Sequence, residues 1–239
     1  MQTEAQIKDQ TGNSDNRVLP LVVGGLTISC EDNMELMSRY PDNYFDLAIV
    51  DPPYGISYAR GKNGFGDTTK NLPKLKDVSW DNSIPTEEYF NELKRVSKNQ
   101  IIWGGNYFTE FLKATNSWVV WDKIAEMKVE NPFSDCELAW TSFNKVMAKI
   151  TLRQQGFISD SKDGKRIHPT QKPSELYKWI LEKYANKGDK ILDTHLGSGS
   201  IAIACHDYKF ELTACELDPE YFEKAKQRII NHVAQQSLF

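Results

Sequence analysis

The chain has 239 residues, 40% of them hydrophobic and 26% charged, with a formal net charge of −4. That length fits one α/β domain with a core that needs neither disulfides nor metal. No apolar run reaches membrane-spanning length, MQTEAQIKDQ lacks a signal-peptide core, and Cys30, Cys136, Cys205 and Cys215 form no CxxC pair, so the expectation is a cytoplasmic protein with reduced thiols and no zinc site.

Residues 1–17, polar and poor in large apolar side chains, read as a disordered tail. LTIS (26–29) reads as a strand, followed by a short helix with Asp32 near its cap. DLAIV (46–50) is the next strand and runs into DPPYG. The Gly-, Lys- and Asn-rich stretch that follows, to about Ser79, reads as a long loop. TEEYFNELKRVSK (86–98) is amphipathic helix, and QIIW, SWVVW, ELAW and KVMAKI follow as short strands. Beyond an irregular stretch, 153–166, IHPTQKP leads into a helix with Pro173 in its first turn and Gly188 as its stop. KILD is a strand, HLGSGS a turn, IAIACHDY a helix, ELTACEL a strand, and the final helix takes Asp218 as its N-cap. This alternation predicts a mostly parallel, doubly wound sheet in one domain, 18–234. Insertions are expected at about 58–80 and 145–166, and a free tail at 235–239.

The acidic balance argues against nucleic acid, but its distribution argues for it. Residues 59–76 carry Arg60, Lys62, Lys70, Lys74 and Lys76 against Asp67, and 143–172 carry seven Lys or Arg against Asp160 and Asp163. Arg60, Lys62, Lys70, Lys149, Arg153 and Arg166 are candidate phosphate contacts. Solvated loops account for the same charges.

The stretch KILDTHLGSGSIAIACHDYKFELTACELD has a physical logic. A strand ends at Asp193, and Gly197 and Gly199 permit a tight turn and close approach of a ligand to the backbone. Nineteen residues after Gly197 a second strand ends at Glu216, where a carboxylate can grip ribose hydroxyls. This nucleoside-binding pattern starts at residue 190, so the other strands of the sheet lie upstream and the order is permuted. Asp193, Glu216 and Asp51 all fall at carboxyl ends of strands, where such sheets bind ligands.

DPPY suits a second substrate in the same cleft. The lone pair of an exocyclic amine on a nucleobase is delocalised into the ring. Acceptors at the Asp51 carboxylate and the Pro52 carbonyl would localise that lone pair, with Pro52 and Pro53 fixing the backbone. Tyr54 would stack on a base pulled from a helix. A strand-ending turn is the plain alternative.

DPPY (51–54), HPTQKP (168–173) and DTHLGSGS (193–200), in that order, resemble the motifs of the β-class DNA amino-methyltransferases, over residues 26–58 and 166–231. IIWGGNYF fits a strand and cleft-facing turn of the same fold. The resemblance implies a Rossmann-like S-adenosylmethionine-dependent methyltransferase fold. It makes Asp51, Pro52, Pro53 and Tyr54 the catalytic motif. Asp51, Asp193, Gly197, Ser198 and Gly199 would line S-adenosyl-L-methionine, with Glu216 on its ribose, Asp32 near its adenine, and Thr170 and Lys172 beside its methionine end. Thr194-His195 replaces the Pro-Phe common in the family, and His195 is expected to pack on the cofactor in place of the aromatic ring. His168 is expected to be structural.

Within that family DPPY, rather than SPPY, implies adenine N6, with cytosine N4 as the alternative. The implied partner is double-stranded DNA, and a homodimer is common among such relatives. QQSLF (235–239) resembles the pentapeptide by which bacterial replication proteins dock on the sliding clamp; a frayed helix end fits it equally. A nicotinamide dehydrogenase would leave DPPY without a role. An RNA or protein methyltransferase and a non-catalytic nucleic-acid-binding homologue are the remaining alternatives.

Overall fold

The middle of the sheet is built from short strands closed on both faces. The computed structural model describes residues 19–56, 83–126, 134–155, 158–164, 166–168 and 170–236. Eleven strands and five α-helices are formed among them. In chain order they are β1 (Leu21–Val23), β2 (Leu26–Cys30), α1 (Asn33–Ser38), β3 (Phe45–Val50), α2 (Glu87–Val96) and β4 (Ser97–Trp103). Then come β5 (Trp118–Asp122), β6 (Cys136–Thr141), β7 (Ala148–Thr151), β8 (Gln154–Gln155), β9 (Ile158–Ser159), α3 (Ser174–Tyr184), β10 (Lys190–Asp193), α4 (Ser200–Tyr208), β11 (Glu211–Glu216) and α5 (Pro219–Gln236).

Nine strands form one sheet in the order β1-β2-β11-β10-β3-β4-β6-β5-β7, while β8 and β9 pair separately. The central run from β2 to β4 is parallel. β6 is antiparallel to both β4 and β5, and β5 pairs with β7 in parallel. Alternate side chains of one strand enter different cores. Leu47 and Ile49 of β3 join the apolar faces of α3, α4 and α5, whereas Ala48 and Val50 join those of α1 and α2. Both faces are covered, so the strands read as continuous apolar runs without polar alternation.

The helices follow from their apolar spacing. α2 buries Tyr89, Phe90, Leu93 and Val96, with Glu87 and Glu88 in its first turn and Lys94 and Arg95 in its last, a charge order that suits the helix dipole. α3 ends at Tyr184 and not at Gly188. The chain turns early because the Asn186 amide donates to Asp189 Oδ2 at 2.8 Å and the Asp189 amide to the Asn186 carbonyl at 3.0 Å. Gly188 serves that turn at φ 92°. α2 likewise stops at Val96, since Ser97 and Lys98 already belong to β4.

Residues 148–151, within the expected 145–166 insertion, form the edge strand β7. The 1–17 tail, the 58–80 insertion with Arg60, Lys62 and Lys70, and residues 237–239 lie outside the described residues; Gln235 and Gln236 close α5. Among the described residues no helix is long and apolar enough to cross a membrane.

The topology creates the crevice. β3 leads on to α2 on one face, whereas β10 leads to α4 on the other, and β3 and β10 are neighbours. Their connections part to opposite faces, so a gap opens at the carboxyl ends of these two strands.

Candidate active site

β3 delivers Asp51 to the edge of the sheet, one residue past Val50. Its carboxylate is held by two donors: Tyr54 Oη bonds Oδ1 at 2.7 Å and Lys172 Nζ bonds Oδ2 at 2.5 Å. Lys172 Nζ also lies 3.3 Å from Tyr54 Oη. The Tyr54 ring stacks on Tyr107 at 5.0 Å between centroids and 17° between planes. Tyr107 ends a 3-10 turn, Gly105–Tyr107, that follows β4. Gly104 stands at φ 68°, and a Cβ there would lie 2.2 Å from Tyr54 Cε1. Gly104 is therefore required twice, for a left-handed backbone and for the space that Tyr54 fills.

Lys172 belongs to HPTQKP, 121 residues from Asp51, and its side chain is only 3% exposed. Its second partner is Glu137 Oε2 on β6 at 3.2 Å, and Glu137 Oε1 accepts from Lys123 Nζ at 3.2 Å. Asp51, Lys172, Glu137 and Lys123 thus form a chain of alternating charge. Burial raises the Asp51 carboxyl above its ordinary value, with Lys172 opposing the shift and Glu137 adding to it. Burial works to raise Glu137 too, but Lys172 and Lys123 outweigh it and leave that carboxyl below the ordinary range. Burial works to lower Lys172, yet the two carboxylates hold it above the usual ammonium value. Tyr54, pushed well up by burial and by Asp51, stays a neutral donor.

The second half of the site follows β10. Asp193, 3% exposed, accepts from the His195 amide at 2.9 Å. Burial, opposed by that bond and reinforced by Asp51 and Glu216, pushes it up to about 8. The turn passes through Gly197 at φ 53° and Gly199 at φ 74°. Glu216 reaches across from β11, its Oε2 accepting from the Gly197 amide at 2.8 Å and its Oε1 from the Asp218 amide at 3.0 Å. Arg228 of α5 braces the turn from behind, donating to the Ser198 carbonyl at 2.8 Å and Ser200 Oγ at 3.0 Å. It also pairs with Asp163 at 3.1 Å, and Asp163 accepts from the Ser174 amide at 2.7 Å, at the start of α3.

Asp32 caps α1 through the Met34 amide at 2.8 Å. It stands just past β2, whose Cys30 is in register with Glu216. His195 Nδ1 meets Thr194 Oγ1 at 2.9 Å, and its Nε2 lies 3.2 Å from Asn33 Nδ2. Tyr89 Oη bonds Thr194 Oγ1 at 2.7 Å. Burial lowers His195 to about 3, so its ring is neutral near pH 7. His168 sits against Tyr221 at 4.4 Å, contacts Thr170 Oγ1 at 3.1 Å, and is lowered by burial to about 4. Asp32, Glu216, Asp193 and Asp51 thus lie along one edge of the sheet, with HPTQKP crossing to it through Lys172.

The basic candidates are more dispersed. Lys149 pairs with Asp122 at 3.0 Å, and Arg153 pairs with Asp160 at 2.8 Å. Both flank a shallow groove with Thr151, Ala125 and Glu126. Arg166 is exposed. Sequence reading missed Glu137, Lys123, Tyr89, Asn33 and Arg228. The ELAW strand offered one signal, a glutamate at the mouth of an otherwise apolar run.

The chain is similar to several known proteins. A family model described as DNA methylase, of the N6/N4 type, matches residues 113–227. The type II methyltransferase M.HpaI of Haemophilus parainfluenzae is 25% identical over 234 residues, covering 84% of this chain and 73% of that protein. M.XycI of Xanthomonas campestris pv. cyanopsidis is 34% identical over 62 residues, 26% of this chain and 21% of that protein. Among solved structures, the M1.HpyAVI–SAM complex superposes with a TM-score of 0.55 at 20% identity, covering 85% of this chain and 98% of that one. The cytosine-N4-specific PvuII DNA methyltransferase gives 0.54 at 12% identity, with 88% and 92% covered. TTHA0409 of Thermus thermophilus, described as a putative DNA modification methylase, gives 0.53 at 15% identity, with 86% and 94% covered. The fold is that of the S-adenosylmethionine-dependent methyltransferases, and residues 113–227 of the chain match the N6/N4 DNA methylase family.

Proposed function

We propose that the protein transfers a methyl group from S-adenosyl-L-methionine to the exocyclic N6 of adenine in double-stranded DNA, on a base turned out of the helix. One observation carries the reading: β3 pairs with β10, so Asp51 and the turn through Gly197 leave the sheet side by side.

The residues present fit the cofactor. Where a Cβ would stand on Gly197 the nearest atom is His168 Nδ1 at 3.8 Å, so the backbone is open to close approach. The Glu216 carboxylate uses one position on each oxygen for backbone amides and keeps acceptor capacity for a pair of hydroxyls. Asp32, Asp193, His195, Ser198, Gly199 and Thr170 complete the wall. The bound cofactor supplies an electrophilic methyl group.

The chain's own groups supply the rest. Asp51 Oδ and the Pro52 carbonyl accept the two N–H bonds of the amine and aim its lone pair. Tyr54, stacked on the exposed Tyr107, gives the base an aromatic wall, and such stacking is worth about 1–3 kcal/mol per base. The methylated nitrogen carries a surplus proton, which Asp51 takes or passes to water. Lys149, Arg153 and Arg166 are the described cations we assign to duplex phosphates, which would compete with Asp122 and Asp160 for the first two. DPPY favours adenine over cytosine N4.

The test is incubation with tritiated S-adenosylmethionine and duplex DNA, RNA or protein, followed by nucleoside analysis. N6-methyladenine supports the reading, N4-methylcytosine replaces it with the cytosine one, and label in RNA or protein alone overturns both. Asp51→Ala should abolish transfer and leave cofactor binding nearly intact.

A further inference from the structure

We propose that Glu137 is a positioning residue of the methyl-transfer centre: it shares Lys172 with Asp51 and so governs how much of the Asp51 carboxylate is available to the target amine. The proposal rests on the function above.

The geometry is specific. Lys172 Nζ lies 2.5 Å from Asp51 Oδ2 and 3.2 Å from Glu137 Oε2. In this state Asp51 accepts a phenol on one oxygen and an ammonium on the other. An incoming amine is a third donor seeking the same acceptor. A buried ammonium does not leave its carboxylate without another partner, because an unpaired interior charge is strongly unfavourable. Glu137 supplies the alternative partner within reach of the same nitrogen. Lys172 can therefore lean from Asp51 to Glu137 by rotation about its terminal bonds and never lose a counter-ion. Lys123, on the other oxygen of Glu137, keeps that carboxylate ionised. The Trp103 ring, 5.2 Å from Nζ, gives the ammonium a third favourable face.

The position in the fold supports the role. Glu137 is the second residue of β6, the antiparallel strand beside β4, and the Gly104 amide bonds the carbonyl of the next residue, Leu138, at 2.8 Å. The backbone carrying Glu137 is thus tied to the glycine that makes room for Tyr54. Among the described residues, the charged and titratable groups that face Asp51 belong to this arrangement or to its rim: Tyr54 in its own turn, Lys172 ahead of α3, Tyr177 on α3, Glu137 on β6 and Asp193 on β10.

The experiment compares Glu137→Gln, Glu137→Asp and Lys172→Met with wild type. Glu137→Gln removes a negative charge near Asp51 and leaves Lys172 bound to Asp51 alone. Both effects move Asp51 towards lower pKa. The acid limb of the kcat/KM profile should shift to lower pH while kcat falls, by roughly 10²-fold as for other misplaced reacting groups, with KM for DNA little changed. Glu137→Asp, which keeps the charge, should recover part of kcat. Lys172→Met should move the limb the opposite way. A second readout needs no turnover: ¹³C NMR titration of the Asp51 carboxyl in the free protein, where Glu137→Gln should lower the midpoint. If wild type methylates DNA and Glu137→Gln leaves kcat and the limb unmoved, the proposal is overturned. If kcat falls with the limb and the NMR midpoint unchanged, Glu137 is merely structural and the proposal is again overturned. If wild type transfers no methyl group to DNA, the function above fails separately, and an unshifted NMR midpoint overturns the Glu137 inference independently.

Discussion

Replacing Gly104 by alanine tests whether Tyr54 must stand where it does. The added Cβ would lie 2.2 Å from Tyr54 Cε1, 2.5 Å from Cδ1 and 2.7 Å from Cζ, and the residue sits at φ 68°. The left-handed backbone costs about 1–2 kcal/mol. Pushing the ring off its rotamer adds about 0.5–1.5 kcal/mol. Losing the Tyr54–Asp51 hydrogen bond adds about 1.5–3 kcal/mol for a charged acceptor. The total is roughly 3–6.5 kcal/mol. Gly188 is the control, with φ 92° and nothing within 4 Å of a built Cβ. It lies at the opposite edge of the sheet, so Gly188→Ala meets only the backbone strain of about 1–2 kcal/mol and should keep full kcat. Urea unfolding of both variants, with methyl transfer to duplex DNA under saturating substrates, gives the comparison. Gly104→Ala should lose about 10²-fold in kcat through displacement of the reacting groups. Equal stability for the two variants, or a wild-type kcat in Gly104→Ala, refutes the reasoning.

Asp193→Asn should stabilise the free protein more at pH 8 than at pH 4. The native carboxyl, pushed up to about 8, holds its proton through a window in which the unfolded one, near 3.9, has lost it. Folding then binds a proton, and stability falls as pH rises from about 4 to about 8. The difference between wild-type and variant melting temperatures across that window is the measurement, and a difference that does not change with pH removes the argument. Arg228→Ala should weaken cofactor binding about tenfold or more in calorimetry, because two bonds from a guanidinium to the glycine turn disappear. Arg228→Lys should rescue little, since one ammonium cannot span both acceptors and Asp163. An unaltered Kd in both variants would show that the turn needs no brace.

Much of the central sheet is legible because its strands are buried on both faces and appear as unbroken apolar runs, such as DLAIV and KILD. The crevice is legible for a different reason: Asp51 and Gly197 each follow such a run, and motif order requires the late βαβ unit to join strands from upstream. What the sequence hides is pairing across distance. Glu137 looks like the solvent side of an edge strand until Lys172, 35 residues later, turns out to lie between it and Asp51. Lys149 and Arg153 look like free cations, yet Asp122 and Asp160 stand against them. Gly188 looks like a helix stop, but the Asn186–Asp189 turn ends α3 first. Each miss is a side-chain partnership that neither periodicity nor propensity encodes.

Glu216 is oriented before any ligand arrives, since the Gly197 and Asp218 amides fix both of its oxygens. The rotamer entropy of a glutamate, about 1.5–2 kcal/mol, is lost when the chain folds and not again on association. A diol entering the crevice meets a stationary acceptor, and the free energy of that encounter goes into affinity and not into arranging the receptor.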